Sequence, residues 1–296
     1  MLNSNCGVIP HLMDESHKHP LNDSRNEDFP IHALEFHWDE FDPHLLCFDS
    51  SAAQECEFDL EDINFSVSQR KVCIGMWDDE GRYVPCAKQA PVSRFAQCQE
   101  CSEESFLPHQ ECVFEPRCDG ELCDIEFCKR EHMLYIAFYD TRMKIGMSST
   151  RRIDKRLIEQ GADAYSIIGK HPTRKRAREA EKKISERLRI PQFHRQEVLL
   201  RNLSRPLDAE GIEGRLEALK ITLGEAFQLK PDPLRWLKGY PIDLPLREVP
   251  KLEPSAGVHR GELVGIKGKW MVFDSDGLKA LNLSDVPARF LARLVP

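Results

Sequence analysis

Eight of the eleven cysteines lie between Cys73 and Cys128, and none occurs in the 168 residues that follow. A short, loop-rich segment this dense in thiols cannot rest on a large apolar core, so bound metal is the natural source of its folding energy. Cys98-Gln-Glu-Cys101 is the sharpest signal, because two cysteines at this spacing on a tight turn bring both thiolates within tetrahedral reach of one ion. The second pair has several candidates: Cys118 and Cys123 around Gly120, or Cys112 and Cys118. Cys86 and Cys128 flank the cluster and can complete a second site. Cys86, Cys98, Cys101, Cys112, Cys118, Cys123 and Cys128, with His109 or His132, therefore supply enough ligands for one or two zinc ions. An iron–sulfur cluster is the competing reading, since thiolate count does not separate the two. Cys73 alternates with apolar neighbours and reads as a strand residue of the core; Cys6, Cys47 and Cys56 read as incidental.

Charge is distributed as unevenly as cysteine. The formal net charge is −8. Residues 1–62 hold 15 Asp or Glu against 2 Lys or Arg, while residues 141–190 hold 15 Lys or Arg against 6 Asp or Glu, a net of +9. The acidic stretch reads as a largely disordered extension, either a tail, a docking arm for a protein partner, or a cover for a basic surface. The basic stretch carries the footprint of a phosphate backbone, with Arg151, Arg152, Lys155, Lys170, Arg174, Lys175 and Arg176 as candidate nucleic-acid contacts. Cations at a helix start oppose the helix dipole, a choice that makes sense where an anion is bound. No run approaches the roughly 18 apolar residues of a membrane helix, and residues 1–20 lack the apolar centre of a secretory segment. Disulfides are accordingly not expected, and the cytoplasm is the expected location.

Hydrophobic periodicity predicts a mixed α/β (α+β) fold. Ile63 to Val67 alternates as a half-buried strand, and Val72 to Trp77 and Arg82 to Pro85 pair across an Asp-Asp-Glu-Gly turn as a hairpin. After the cysteine-rich module at 86–132 comes a compact unit at 133–190. Its order is a strand at Met133–Tyr139, a strand at Lys144–Met147, a helix at Arg151–Gln160, a strand at Ala164–Ile168 and a helix at Thr173–Ile190, closed by Pro191. Residues 191–254 read as a weak helix and a proline-rich linker, and 255–296 as a β-rich end.

Within 133–190 the residues resemble the GIY-YIG nuclease superfamily. Met133-Leu134-Tyr135 stands at the first strand motif and keeps its tyrosine. Lys144-Ile145-Gly146 stands at the second and replaces the tyrosine with lysine. Arg156 stands at the helix arginine, and Ala177 with Glu181 at the helix that carries the metal-binding carboxylate. The wider chain resembles the domain of unknown function family 2797, through Cys73-Ile74-Gly75, Pro85-Cys86, the cysteine cluster, Arg156, Gln160-Gly161-Ala162 and the stretch from Gly265 to Leu283.

The first resemblance implies a small three-stranded sheet with flanking helices. It also implies phosphodiester chemistry in which Glu181 holds Mg²⁺ or Mn²⁺, Arg156 neutralises phosphate charge and Tyr135 positions water. Lys144 takes the second tyrosine's place, and Tyr139, on the same strand face as Tyr135, can supply the missing hydroxyl. Three functions follow as expectations: a zinc-binding, nuclease-like protein that binds RNA or structured DNA without catalysis; an active divalent-metal-dependent endonuclease; or an adaptor using the zinc module and acidic arm.

Overall fold

The computed structural model describes residues 29–105, 110–122 and 126–295. Expectations for residues 1–28, for His109 and for Cys123 fall outside the described residues. The chain forms two compact units, one of residues up to Gln110 together with Lys251–Gly265 and Trp270–Pro296, the other of Glu111–Pro250 with Ile266–Lys269.

In chain order the elements are β1 (Ile31–Asp39), β2 (Asp42–Asp49), β3 (Gln54–Glu57), β4 (Asp62–Val67), β5 (Met76–Trp77), β6 (Tyr83–Val84) and α1 (Gln99–Ser105). Next come α2 (Glu126–Lys129), β7 (His132–Tyr139), β8 (Arg142–Ser149), α3 (Ile153–Gln160), β9 (Ala164–His171), α4 (Arg174–Leu188), α5 (Gln196–Leu203) and α6 (Ala209–Phe227). The chain closes with β10 (Arg235–Trp236), β11 (Lys251–Leu252), β12 (Gly257–Lys267), β13 (Trp270–Asp274), β14 (Leu278–Asn282) and β15 (Phe290–Arg293).

The first unit is built on a nine-stranded sheet of order β11-β14-β13-β12-β4-β15-β1-β2-β3. The strand expected at Ile63–Val67 is its middle, paired antiparallel to β12 on one side and β15 on the other. Residues 31–62 are therefore not a disordered arm. β1 and β2 form a long hairpin running from Ile31 opposite Asp49 to Asp39 opposite Asp42, and β3 continues from β2. Ile31, Ala33, Leu34 and Trp38 are buried, while Glu35, Glu55 and Glu57 are exposed. The acid content misled because charge sits on solvent-facing positions whose apolar alternates form a core. Cys56 carries a disulfide, against the expectation. A small hairpin of β5 and β6 stands beside this sheet's residues in the same unit, its turn organised by Asp78, whose carboxylate accepts from the Glu80 and Arg82 amides.

The second unit carries a four-stranded antiparallel sheet of order β10-β9-β7-β8. Three of these strands and both flanking helices fall where periodicity placed them. The fourth was hidden in the proline-rich stretch: Arg235 and Trp236 pair with Tyr165 and Ala164, so this stretch is not a free linker. All eight residues of β7 are buried. Its two faces feed separate cores. Leu134, Ile136 and Phe138 join Ala177 and Ile184 of α4 and Ile212, Leu216, Leu219 and Leu223 of α6. Tyr135, Ala137 and Tyr139 join Ile153 and Leu157 of α3 and Tyr165 of β9. Asp208 caps α6 by accepting from the Gly211 amide at 2.8 Å, which offsets the glycines that make this helix look weak. Among the described residues no helix is long and apolar enough to cross a membrane.

Trp38→Ala tests the placement of residues 31–62. A fully buried indole removed from a sheet core is expected to cost about 3–5 kcal/mol in urea unfolding. An unfolded arm would give no change in the midpoint.

Candidate metal centre and buried polar group

Cys73, Cys86, Cys98 and Cys101 of the first unit come together, with all four Sγ atoms within 4.8 Å of one another. The small hairpin does this: Cys73 precedes β5 and Cys86 follows β6, so closing the hairpin brings the two thiols together. The other pair lies at the start of α1, where Ser102 donates its amide to the Cys98 carbonyl at 3.0 Å. The chain packs tightly around these thiols. Gly75 has φ +76°, and a Cβ there would meet the Val84 carbonyl at 2.2 Å and the Cys86 amide nitrogen at 2.9 Å, so any side chain would force the hairpin open.

The donor chemistry fits a metal ion. Four free thiols at this spacing approach the arrangement of a tetrahedral tetrathiolate site, in which a metal–sulfur bond of about 2.3 Å sets neighbouring sulfurs roughly 3.8 Å apart. Backbone amides already point at sulfur. Gly75 donates to Cys73 Sγ at 3.4 Å and Cys98 donates to the same atom at 3.2 Å. Burial works to raise the Cys86 thiol, but the backbone amides of Ala90 and Lys88 and the neighbouring thiols bring it down to about 7. Such N–H···S bonds favour the thiolate that a metal requires.

The sequence reading of this cluster changes in two ways. Cys73 is a member, not a core residue, although its apolar flanks hid it. Cys112, Cys118 and Cys128 belong to the second unit and are not members of this group.

The second unit gathers the other expected residues. Tyr135 on β7 lies opposite Gly146 on β8. A Cβ at position 146 would meet Tyr135 Oη at 2.5 Å and Cζ at 2.6 Å, so the glycine exists to let the ring lie across the strand. The Tyr135 hydroxyl is wholly buried, which pushes its pKa up; Arg156 and Gln160 act in the opposite direction. Gln160 Oε1 accepts from Lys144 Nζ at 2.5 Å and from Tyr139 Oη at 3.2 Å. Tyr139 of β7 thus shares an acceptor with the lysine.

Lys144 is pushed down to about 8, by burial first and then by Arg156, with Glu181 pulling the other way. Glu181 on α4 is itself buried, which raises its pKa, and its Oε2 accepts from Arg178 at 2.7 Å. Arg178 also donates to Gln192 at 2.8 Å. His194 meets the Tyr139 ring edge-on at 5.5 Å. Its Nε2 is buried without a hydrogen-bond partner, and burial together with Lys144 and Arg142 holds its pKa below the usual range.

Gln160, Arg178 and His194 were not among the expected site residues. Gln160 had a signal, since it opens the Gln-Gly-Ala stretch, and Arg178 stands in the cationic run that begins at Arg174; His194 had none beyond proximity in space.

The surface cations divide. Arg151, Arg152, Lys170 and Arg176 are exposed, and Lys155 and Lys175 are half-buried. Arg152 pairs with Glu159 at 3.0 Å. Arg174 is a correction: it is 5% exposed and donates to the Cys112 carbonyl at 2.5 Å, so it is not a surface contact.

The fold and these groups define a two-unit α/β protein with a cysteine cluster able to hold a metal ion. Residues 61–288, over three quarters of the chain, match the family described as Protein of unknown function (DUF2797), and the chain belongs to that family. No curated protein and no solved structure matches it.

Two substitutions test these arrangements. Cys73→Ser is expected to lower the metal retained per purified chain as much as Cys98→Ser does; full retention would return Cys73 to the core. Gly146→Ala forces Tyr135 to move and is expected to cost about 1–3 kcal/mol in denaturant unfolding, as overpacking does. A neutral result would mean the ring does not cross this glycine.

Proposed function

We propose that this chain is a zinc-binding, nucleic-acid-binding protein whose second unit engages a phosphodiester at Lys144 and Arg156, above the buried Tyr135. The observation that carries the reading is the state of Lys144. It is a half-buried cation whose hydrogen bond goes to a neutral amide oxygen, while the nearby carboxylate, Glu181, is taken by Arg178. An ammonium has three donors, so two remain for an anion. The exposed Arg156 and the +9 charge of residues 141–190 favour the same class of ligand. The order of motifs that resembles the GIY-YIG nucleases supports it independently. Arg151, Arg152, Lys155, Lys170, Lys175 and Arg176 would then hold flanking phosphates.

Metal-dependent cleavage, the activity that the resemblance implies, is the less favoured reading. A hard cation such as Mg²⁺ or Mn²⁺ seeks free oxygen ligands. Glu181 is hydrogen-bonded by an arginine, and among the described residues no group of three His, Cys, Asp or Glu donors gathers around it. The residues present do not fit that ion without first releasing Arg178. The observation on the side of catalysis is Lys144, whose pKa near 8 would let it act as a base. The adaptor reading loses residues 31–62 of its acidic arm, because they belong to the sheet. The four-cysteine group serves the fold in this account, with zinc as the ion its thiolates suit.

The reading is tested by titrating RNA and DNA hairpins into the full chain at several salt concentrations. Affinity is expected to fall steeply with salt, and Lys144→Met or Arg156→Ala to weaken it about tenfold, the worth of one charge-assisted hydrogen bond. Lys144 is charged below about pH 8. Affinity should therefore decline between pH 7 and 9, and Lys144→Met should lack that decline. Salt-independent binding, or binding indifferent to both substitutions, would overturn the proposal. Hairpin cleavage that requires Mg²⁺ and is lost in Glu181→Ala would establish the enzyme instead.

A further inference from the structure

Phe193 in the second unit is 76% exposed. A single apolar side chain in water is ordinary, but this one stands on a segment that holds it there. Residues 190–195 join α4 to α5, and their side chains alternate between the body of the unit and solvent. Ile190 is buried, Gln192 and His194 are half-buried, and Pro191, Phe193 and Arg195 are exposed. The segment is fastened at successive residues. The Ile190 carbonyl accepts from the Ser185 hydroxyl at 2.8 Å, and the Pro191 carbonyl from the Ile145 amide at 3.0 Å. Gln192 accepts from Arg178 at 2.8 Å. His194 lies edge-on to the Tyr139 ring and hydrogen-bonds the Met143 backbone. With a fastened side chain on either side of it, residue 193 must point the other way, and its ring forgoes the stabilisation that burial gives.

The place of the segment gives the exposed ring a use. It is fastened to β8 at Ile145, the residue after Lys144. Phe193 follows two residues after Pro191, so their Cα atoms lie within about 8 Å of each other. Gln192, its neighbour, binds the same arginine that holds Glu181. The flanks are cationic: Arg187, Arg189 and Arg195 are exposed, and no Asp or Glu occurs from Arg187 to Gln196. An exposed aromatic ring among cations is the make-up of surfaces that take unpaired nucleotides, where charge draws in the backbone and a base stacks on the ring. A continuous duplex hides the faces of its bases and offers such a ring nothing.

We propose that Phe193 is a stacking platform for an unpaired nucleobase, so that the ligand of this site is a looped, bulged or single-stranded segment and not a continuous duplex. The inference rests on the phosphate reading of Lys144 and Arg156, and it names the form of nucleic acid that this reading leaves open.

The test is binding by the full chain, at one salt concentration, of RNA and DNA versions of each of these ligands: a hairpin with an open loop, the same hairpin with abasic nucleotides in its loop, and a blunt duplex of the same stem. Phe193→Ala is expected to weaken the open-loop hairpin about tenfold, the worth of one base stacked on an aromatic ring, and to leave the abasic hairpin and the duplex unchanged. Phe193→Trp should restore the affinity; Phe193→Leu, apolar but without a ring, should not. None of these substitutions removes a core contact, so equal urea midpoints are expected for all of them. Unaltered binding of the open-loop hairpin by Phe193→Ala, or an equal loss for hairpin and duplex, would overturn the platform. Lys144→Met separates this from the reading beneath it. If that variant weakens every ligand while Phe193→Ala weakens none, the platform fails and the phosphate reading stands; if the native chain binds none of the ligands, both fail.

Discussion

A strand buried on both faces has nowhere to put a hydroxyl except against another polar side chain. β7 is that strand, and the second unit is arranged around it. One face is wholly aliphatic and aromatic and is covered by α4 and α6. The other presents Tyr135 and Tyr139, whose hydroxyls would each cost energy if left unpaired in a core. Gln160, the last residue of α3, accepts from Tyr139 and from Lys144 of β8, and it acts on Tyr135 as well. One amide thereby links α3 to both strands.

The first unit answers a different constraint. Residues 68–98 contain only the short β5–β6 hairpin, and their apolar side chains form a small cluster in which Ile74, Trp77, Tyr83, Val92 and Ala96 pack with Leu34 and Ala288. Thiols add to it. The hairpin delivers Cys73 and Cys86, α1 delivers Cys98 and Cys101, and Gly75 permits the close approach. Around this module a conventional sheet is completed by strands from both ends of the chain, with β4 between β12 and β15. The C-terminal β-rich segment is thus part of the same layer as Ile31–Val67.

Much of this was legible in the residues. Alternation marked β4, β12 and β13, and helical spacing marked α3 and α4, because each buries one face and charges the other. Cys98-Gln-Glu-Cys101 marked the cysteine cluster, since thiols three apart can reach one ion. The misses have physical causes. Cys73 looked like core because its neighbours Val72 and Ile74 are indeed buried. Residues 31–62 looked unfolded because composition averages over the two faces of a strand. Arg174 looked like a surface cation because nothing local shows that the chain around Cys112 and Cys128 returns to cover it. β10 escaped because two residues among prolines carry no period. Gln160 and Arg178 decide what Lys144 and Glu181 are free to do, and such pairings across elements are not written in spacing.

The proposed function turns on Lys144 keeping two donors for a bound phosphate. Acylation footprinting of lysines in the full chain, with and without an RNA hairpin, reads this directly. Lys144 is expected to be protected, together with Lys155, Lys170 and Lys175, while Lys220 and Lys230 on the far segment of the sequence are not. Equal reactivity of Lys144 in the free and RNA-bound protein, or protection spread evenly over all lysines, would contradict it.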